Sequence, residues 1–204
     1  MFYKTVIKYR GASGRPYLFR NIICACLLSI FAVSCSGIHE IKSDAGQTRL
    51  IANVPFYPQE PDRCGPSVLA EALNFWNADV EPDKIASEVY SKSAKGTLDT
   101  DLLFYARKRG FKAQIYEGNI KDLEQKIDSG LPLIVMVDYG FWVYQKAHFM
   151  LVVGYGKDFV IANSGRERLK YISKGEFMRT WKRANYDTLL VEPGNEAGKY
   201  YHDE

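Results

Sequence analysis

Two hydrophobic periods divide the chain near residue 130. Upstream, apolar residues recur at helical spacing in 67–76 (SVLAEALNFW), 82–90 (PDKIASEVY) and 98–109 (LDTDLLFYARKR), which predicts three helices. Asp99 or Thr100 is the expected cap of the third, and Gly110 its stop. A short strand, KAQIYEG, comes next. A fourth helix, NIKDLEQKIDSG, then has Asn119 as cap and Gly130 as exit. Downstream the pattern changes to apolar runs too short for helices. LPLIVMVDY reads as a buried central strand, and HFMLVVGYG and DFVIANS as two more, joined by a tight Gly-Lys-Asp turn. RLKYI, a short helix GEFMRTW and the strand YDTLLVE complete the domain. Helices first and consecutive strands afterwards indicate an α+β fold, its N-terminal helical half packed on a largely antiparallel sheet.

The ends of the chain do not share this patterning. Residues 36–50 are polar and aperiodic and read as a tether, and the tail 193–204 as a loose end, so the domain is expected over about 51–192. Ahead of the tether, a basic stretch up to Arg20 is followed by IICACLLSIFAVS. This run of 13 apolar and small residues is short for a spanning helix and suited to a signal-peptide core. It leads into Cys35 through AVSC, which resembles the bacterial lipoprotein signal. That resemblance implies a signal peptide over 1–34, a lipidated Cys35, a membrane contact through that lipid and a place in the bacterial cell envelope, facing the periplasm. An uncleaved anchor and ordinary signal cleavage are the alternatives, and all three export the domain.

Charge and cysteine count follow from this division. The formal net charge is +3, yet residues 1–35 hold five basic side chains and no acid, which leaves the remainder at −2. A near-neutral body gives no nucleic-acid footprint. Hydrophobic residues at 47% and charged residues at 25% are enough for a globular core. With Cys24 and Cys26 in the removed segment and Cys35 lipidated, Cys64 is the one thiol left, so no internal disulfide forms. An exported, unpaired cysteine is either a buried inert residue or a functional one.

The surroundings of Cys64 favour function. Gly65 and Pro66 follow it, and proline belongs in a first helical turn. The thiol is therefore expected at a helix N-terminus, where free N–H groups and the dipole favour a thiolate. His39 lies in the tether and His202 in the tail, so His148 is the one histidine of the body, at the head of a strand. A Cys/His pair far apart in sequence and close in space is the arrangement thiol catalysis needs. Asn163 ends the next strand, and pairing across the hairpin is expected to bring it beside His148 to fix the imidazole tautomer. Asp158 is a weaker candidate, and Asn163 could simply open a turn. Gln59, five positions before Cys64, is a candidate oxyanion donor together with the Cys64 N–H. Tyr57, Trp142 and Tyr144 are either substrate-groove residues or partly exposed core. One cysteine and one body histidine do not make a metal site, and no cofactor is expected.

Gln59, CGPSVLAEAL, His148 heading a GY-containing strand, and Asn163 together resemble the papain-like cysteine peptidases of the bacteriocin-processing type. NVPFYPQE and FMRTW are similar to stand-alone, exported, lipid-anchored members of that superfamily. The resemblance spans about 53–192 and implies a papain-like fold. It also implies Cys64 as nucleophile, His148 as acid and base, Asn163 as orienting residue and Gln59 as oxyanion donor. Many transporter-fused members carry aspartate where Asn163 stands and have a loop one residue longer between Gln59 and Cys64. The expected activity is hydrolysis of a peptide or protein substrate, with double-glycine-like leader sites as the family's substrate and a separate export system as a possible partner. Acyl transfer and a non-catalytic peptide-binding module are the alternatives.

Overall fold

The computed structural model describes residues 48–60, 62–91 and 96–194. The signal-peptide reading, Cys35, most of the tether and the tail beyond 194 lie outside the described residues. Among the described residues, seven strands form one sheet. They are β1 (Arg49–Leu50), β2 (Lys112–Glu117), β3 (Leu133–Asp138), β4 (Ala147–Tyr155), β5 (Phe159–Ser164), β6 (Glu167–Ser173) and β7 (Asp187–Glu192). Their order is β2-β7-β3-β4-β5-β6, with β1 on β4, and every pairing is antiparallel. The sheet begins inside the segment read as tether. Two exposed residues carry no period, so β1 is visible only through its pairing with Tyr155 and Gly154.

Among the described residues, five helices cover the two faces. α1 (Cys64–Phe75), α2 (Pro82–Val89) and α3 (Asp99–Lys108) precede β2; α4 (Ile120–Asp128) follows β2, and α5 (Lys174–Arg183) follows β6. Alternation along the strands sorts the core into two layers. Ile134, Phe149, Leu151, Ile161 and Leu189 meet α1–α3. Val135, Val137, Met150, Val152 and Leu190 meet α4 and α5. Trp181 of α5 is fully buried, and its indole N–H donates to the Asp187 carbonyl, 3.1 Å away.

The helix boundaries follow local chemistry. Asn119 caps α4 by accepting from the Asp122 N–H at 3.0 Å, and Ser173 caps α5 by accepting from Glu176. Gly110 and Gly130 leave α3 and α4 with positive φ. The cap of α3 differs from expectation. Leu98 holds the cap position without a side-chain bond, and Asp99 lies inside the first turn, its carboxylate accepting from the Thr100 N–H. An acid in that turn still complements the dipole.

Candidate active site

Cys64 is the first residue of α1, and no side chain caps that helix. The N–H groups of Cys64 and Gly65 therefore face the sulfur, and the backbone of Phe149 in β4 faces it too. A Cβ on Gly65 would meet Thr97 Cβ at 3.1 Å and Phe149 Cδ2 at 3.4 Å, so glycine lets the helix end settle against β4. β5 pairs with β4 from Leu151 onward, which leaves the β5-side edge open around Phe149. The thiol sits at that edge, beside the residue that follows His148. Burial nevertheless pushes the Cys64 thiol above its ordinary value, and the three backbone groups only partly offset it. Burial thus works against the thiolate expected at the helix end.

His148 lies across the strand from Val137, on the face that carries Met150. Its Nε2 is 3.0 Å from Ser164 Oγ, and its ring centroid is 5.7 Å from that of Tyr139. Ser164 also hydrogen-bonds the Tyr139 hydroxyl. With Nε2 engaged by Ser164, Nδ1 is the ring nitrogen left for proton transfer. Burial, with Lys170 and Lys146 adding positive field, pulls the imidazole down to about 4. Among the described residues no hydrogen bond links the Cys64 sulfur to this ring.

Asn163 is not where the hairpin argument placed it. It pairs with Leu151, three residues past His148, and so points to the opposite face of the sheet. There it is fully buried; its Nδ2 donates to Pro55 O at 3.1 Å and Glu71 Oε2 at 3.0 Å, and its Oδ1 accepts from the Leu169 N–H at 3.1 Å. Ser164, one position further, points toward His148. The alternation of a strand makes that single step decisive.

Gln59 is buried and its backbone N–H donates to Gly165 O at 2.9 Å. Its Nε2 approaches the Phe149 carbonyl at 3.5 Å, the outer limit of a hydrogen bond, and its Oε1 has no partner among the described residues. That long contact leaves the Gln59 NH₂ weakly held at the backbone of Phe149, which the Cys64 sulfur also faces.

The family model for the Peptidase C39 like family matches residues 51–189, more than half the chain. The chain belongs to this peptidase family. Solved structures show the same fold at low identity. A Bacillus anthracis chain assigned as a C39-like peptidase matches with a TM-score of 0.62 at 17% identity, over 71% of this chain and 97% of that one. A double glycine motif protease from an AMS/PCAT transporter, in complex with the leader peptide, matches at 0.58 and 22%, over 72% and 98%. The peptidase domain of Streptococcus ComA, a bi-functional ABC transporter of a quorum sensing pathway, matches at 0.57 and 21%, over 69% and 98%. A search of curated proteins returns no match.

The remaining candidates of this C39-like chain separate by environment. Tyr57 is half-buried as a brace on α1; its N–H donates to Glu71 and its hydroxyl accepts from Asn74 Nδ2 at 2.7 Å. Trp142 and Tyr144 are 84% and 69% exposed at the tip of the loop between β3 and β4. That loop is tightly built. Buried Asp138 accepts from the N–H groups of Gly140 and Lys146 and from Arg183 Nη2 at 3.1 Å. Burial raises this carboxyl, but those donors outweigh it and hold it below the usual range. A Cβ on Gly140 would lie 1.9 Å from the Tyr144 carbonyl, so the turn requires glycine.

Sequence reasoning missed Ser164, Tyr139 and Glu71. A serine beside an asparagine carries no signal until register is known. Glu71 did leave one, an acid on the apolar face of a helix. Two cavities, of about 520 Å³ beside Arg49 and Asp128 and about 360 Å³ beside Tyr116 and Asp187, are lined by none of the site residues. Among the described residues no cluster of three or more His, Cys, Asp or Glu could hold a metal, and no helix is long and apolar enough to cross a membrane.

Proposed function

We propose that this C39-like peptidase cleaves peptide bonds through a thioester on Cys64. The observation that carries the reading is the thiol at the uncapped end of α1, against the backbone of the residue next to His148. His148 Nδ1 takes the thiol proton as the sulfur attacks the peptide carbonyl. The resulting oxyanion accepts from the Cys64 N–H and from Gln59 Nε2, which gives up its long contact with Phe149 O. The C–N bond then breaks as the imidazolium returns its proton to the leaving amine. Water, deprotonated by His148, attacks the thioester and releases the acid and the thiol. Ser164 takes the orienting role first given to Asn163, because it is the group that holds Nε2.

In this reading Trp142 and Tyr144 contact the substrate chain, which their exposure on the loop that runs directly into β4 and His148 supports. The substrate class we favour is a leader peptide with a double-glycine-like site. The leader peptide bound by the AMS/PCAT protease supports this by fold similarity. Export and lipid anchoring through Cys35 are part of the proposal and rest on the N-terminal sequence.

The test is cleavage of a peptide library by the full chain, with Cys64→Ala as control. Cys64-dependent hydrolysis enriched at small-residue pairs is expected. A folded protein that binds peptides and cleaves none would refute the peptidase reading. Mass spectrometry of the mature N-terminus tests Cys35; an unmodified or intact leader refutes lipidation.

A further inference from the structure

The site has a polar support that none of the steps above uses. Glu71 sits two helical turns after Cys64 on α1, roughly 10 Å along the axis, and is completely buried. Its Oε1 accepts from the Tyr57 N–H and its Oε2 from Asn163 Nδ2, both at 3.0 Å. Asn163 in turn holds the Pro55 carbonyl and the N–H of Leu169, a leucine with φ of +54°. One carboxylate and one amide thus join four segments: the helix carrying Cys64, the strand carrying Ser164, the start of β6, and the loop 55–57 that leads to Gln59. That loop has a second attachment at Gln59 N–H to Gly165 O.

We propose that Glu71 and Asn163 are a positioning pair that sets the oxyanion loop, fixing Gln59 relative to Cys64. The inference rests on the peptidase reading above. The pair touches neither the sulfur nor the imidazole, so it acts through Gln59 and not through the nucleophile. Both Glu71 oxygens face donors, a geometry that fits the ionised carboxylate, while burial works against that charge. The result is a carboxyl raised to about 7, chiefly by burial, with Tyr57, Asn163 and the field of Arg168 opposing the rise. The groups that face it are Arg168 from β6, Asn163 from β5, and Tyr57 from the loop; Arg168 is the charged one. The working state of the loop is therefore the ionised one, reached near neutral pH.

The test separates two chemistries at the same sulfur. Alkylation by iodoacetamide needs the thiol and no oxyanion donor, whereas peptide cleavage needs both. Glu71→Gln and Asn163→Ala are compared with wild type on one library peptide whose cleavage depends on Cys64. A fall in kcat of about tenfold to a hundredfold is expected, with KM within about twofold and the alkylation rate at pH 9 unchanged. Wild-type kcat should rise through about pH 7, and Glu71→Gln should flatten that limb. In a Gln59→Ala background, Glu71→Gln should lower kcat no further. Hydrogen exchange at the amides of Phe56, Tyr57 and Gln59 should quicken in both variants. Unchanged kcat, or kcat and alkylation falling together, overturns the proposal, as does full additivity with Gln59→Ala. Cleavage that survives Cys64→Ala, or no cleavage at all, instead removes the peptidase reading on which it stands.

Discussion

The resting protonation of Cys64 and His148 can be worked out from their surroundings and measured directly. The ordinary thiol value is 9.0, and burial moves Cys64 above it; His148 is drawn from 6.5 to about 4. Proton transfer from sulfur to ring therefore opposes a gap of at least about five pKa units, roughly 7 kcal/mol. Attraction between opposite charges brought into contact, about 4 Å at the intermediate dielectric of a protein surface, would recover at most about 4 kcal/mol. The ion pair therefore lies at least about 3 kcal/mol uphill, no more than on the order of 1% of molecules. The perturbation is pH and the assay is the rate of iodoacetamide alkylation from pH 5 to 10. The rate should climb about tenfold per pH unit toward the raised thiol midpoint. His148→Ala should change it by less than about threefold. A His148-dependent plateau from about pH 5 to 8 would refute the reasoning, since only a resting thiolate–imidazolium pair produces one.

Folding stability should show two opposing proton linkages. Glu71, raised from 4.5 to about 7, contributes stability that is complete below 4.5 and lost as pH rises through 7; His148, lowered from 6.5 to about 4, contributes stability that is complete above 6.5 and lost as pH falls through 4. Each is worth roughly 3 kcal/mol and they nearly cancel at mildly acidic pH. Urea titrations should therefore be flat there in wild type and rise with pH in Glu71→Gln. Ser164→Ala should lower kcat/KM at least about tenfold while costing about 1 kcal/mol of stability, whereas Asn163→Ala should cost about 3 kcal/mol because it strands a buried carboxylate and a carbonyl. Equal stability losses in the two would contradict their different settings. Asp138→Ala should cost about 3–5 kcal/mol by leaving Arg183 unpaired and freeing the Gly140 and Lys146 amides, read by thermal melts. Trp142→Ala should leave the melting temperature nearly unchanged, its side chain being 84% exposed, and raise KM for peptides.

Local pattern determined much of this protein. The helical period of 67–76, the apolar runs of the later strands, and the Asn119 and Gly130 boundaries are short-range effects of propensity, capping and amphipathicity, and they specify an α+β domain. Cys64 before Gly-Pro and the single body histidine were likewise legible, because residue type and position at an element's edge are properties of the chain itself. Gln59 emerged only from the spacing of that motif. Tertiary structure decided what required register and burial. Whether Asn163 or Ser164 meets His148 depends on β4 and β5 pairing at Leu151, and a one-residue step reverses the face. Whether a helix N-terminus yields a thiolate depends on how much protein covers the sulfur, and here desolvation exceeds the pull of the free amides. The Glu71–Asn163 support joins residues 92 positions apart. Such long-range pairing has no local signature, and it was the fold that turned an acid in an apolar helix from an anomaly into a contact.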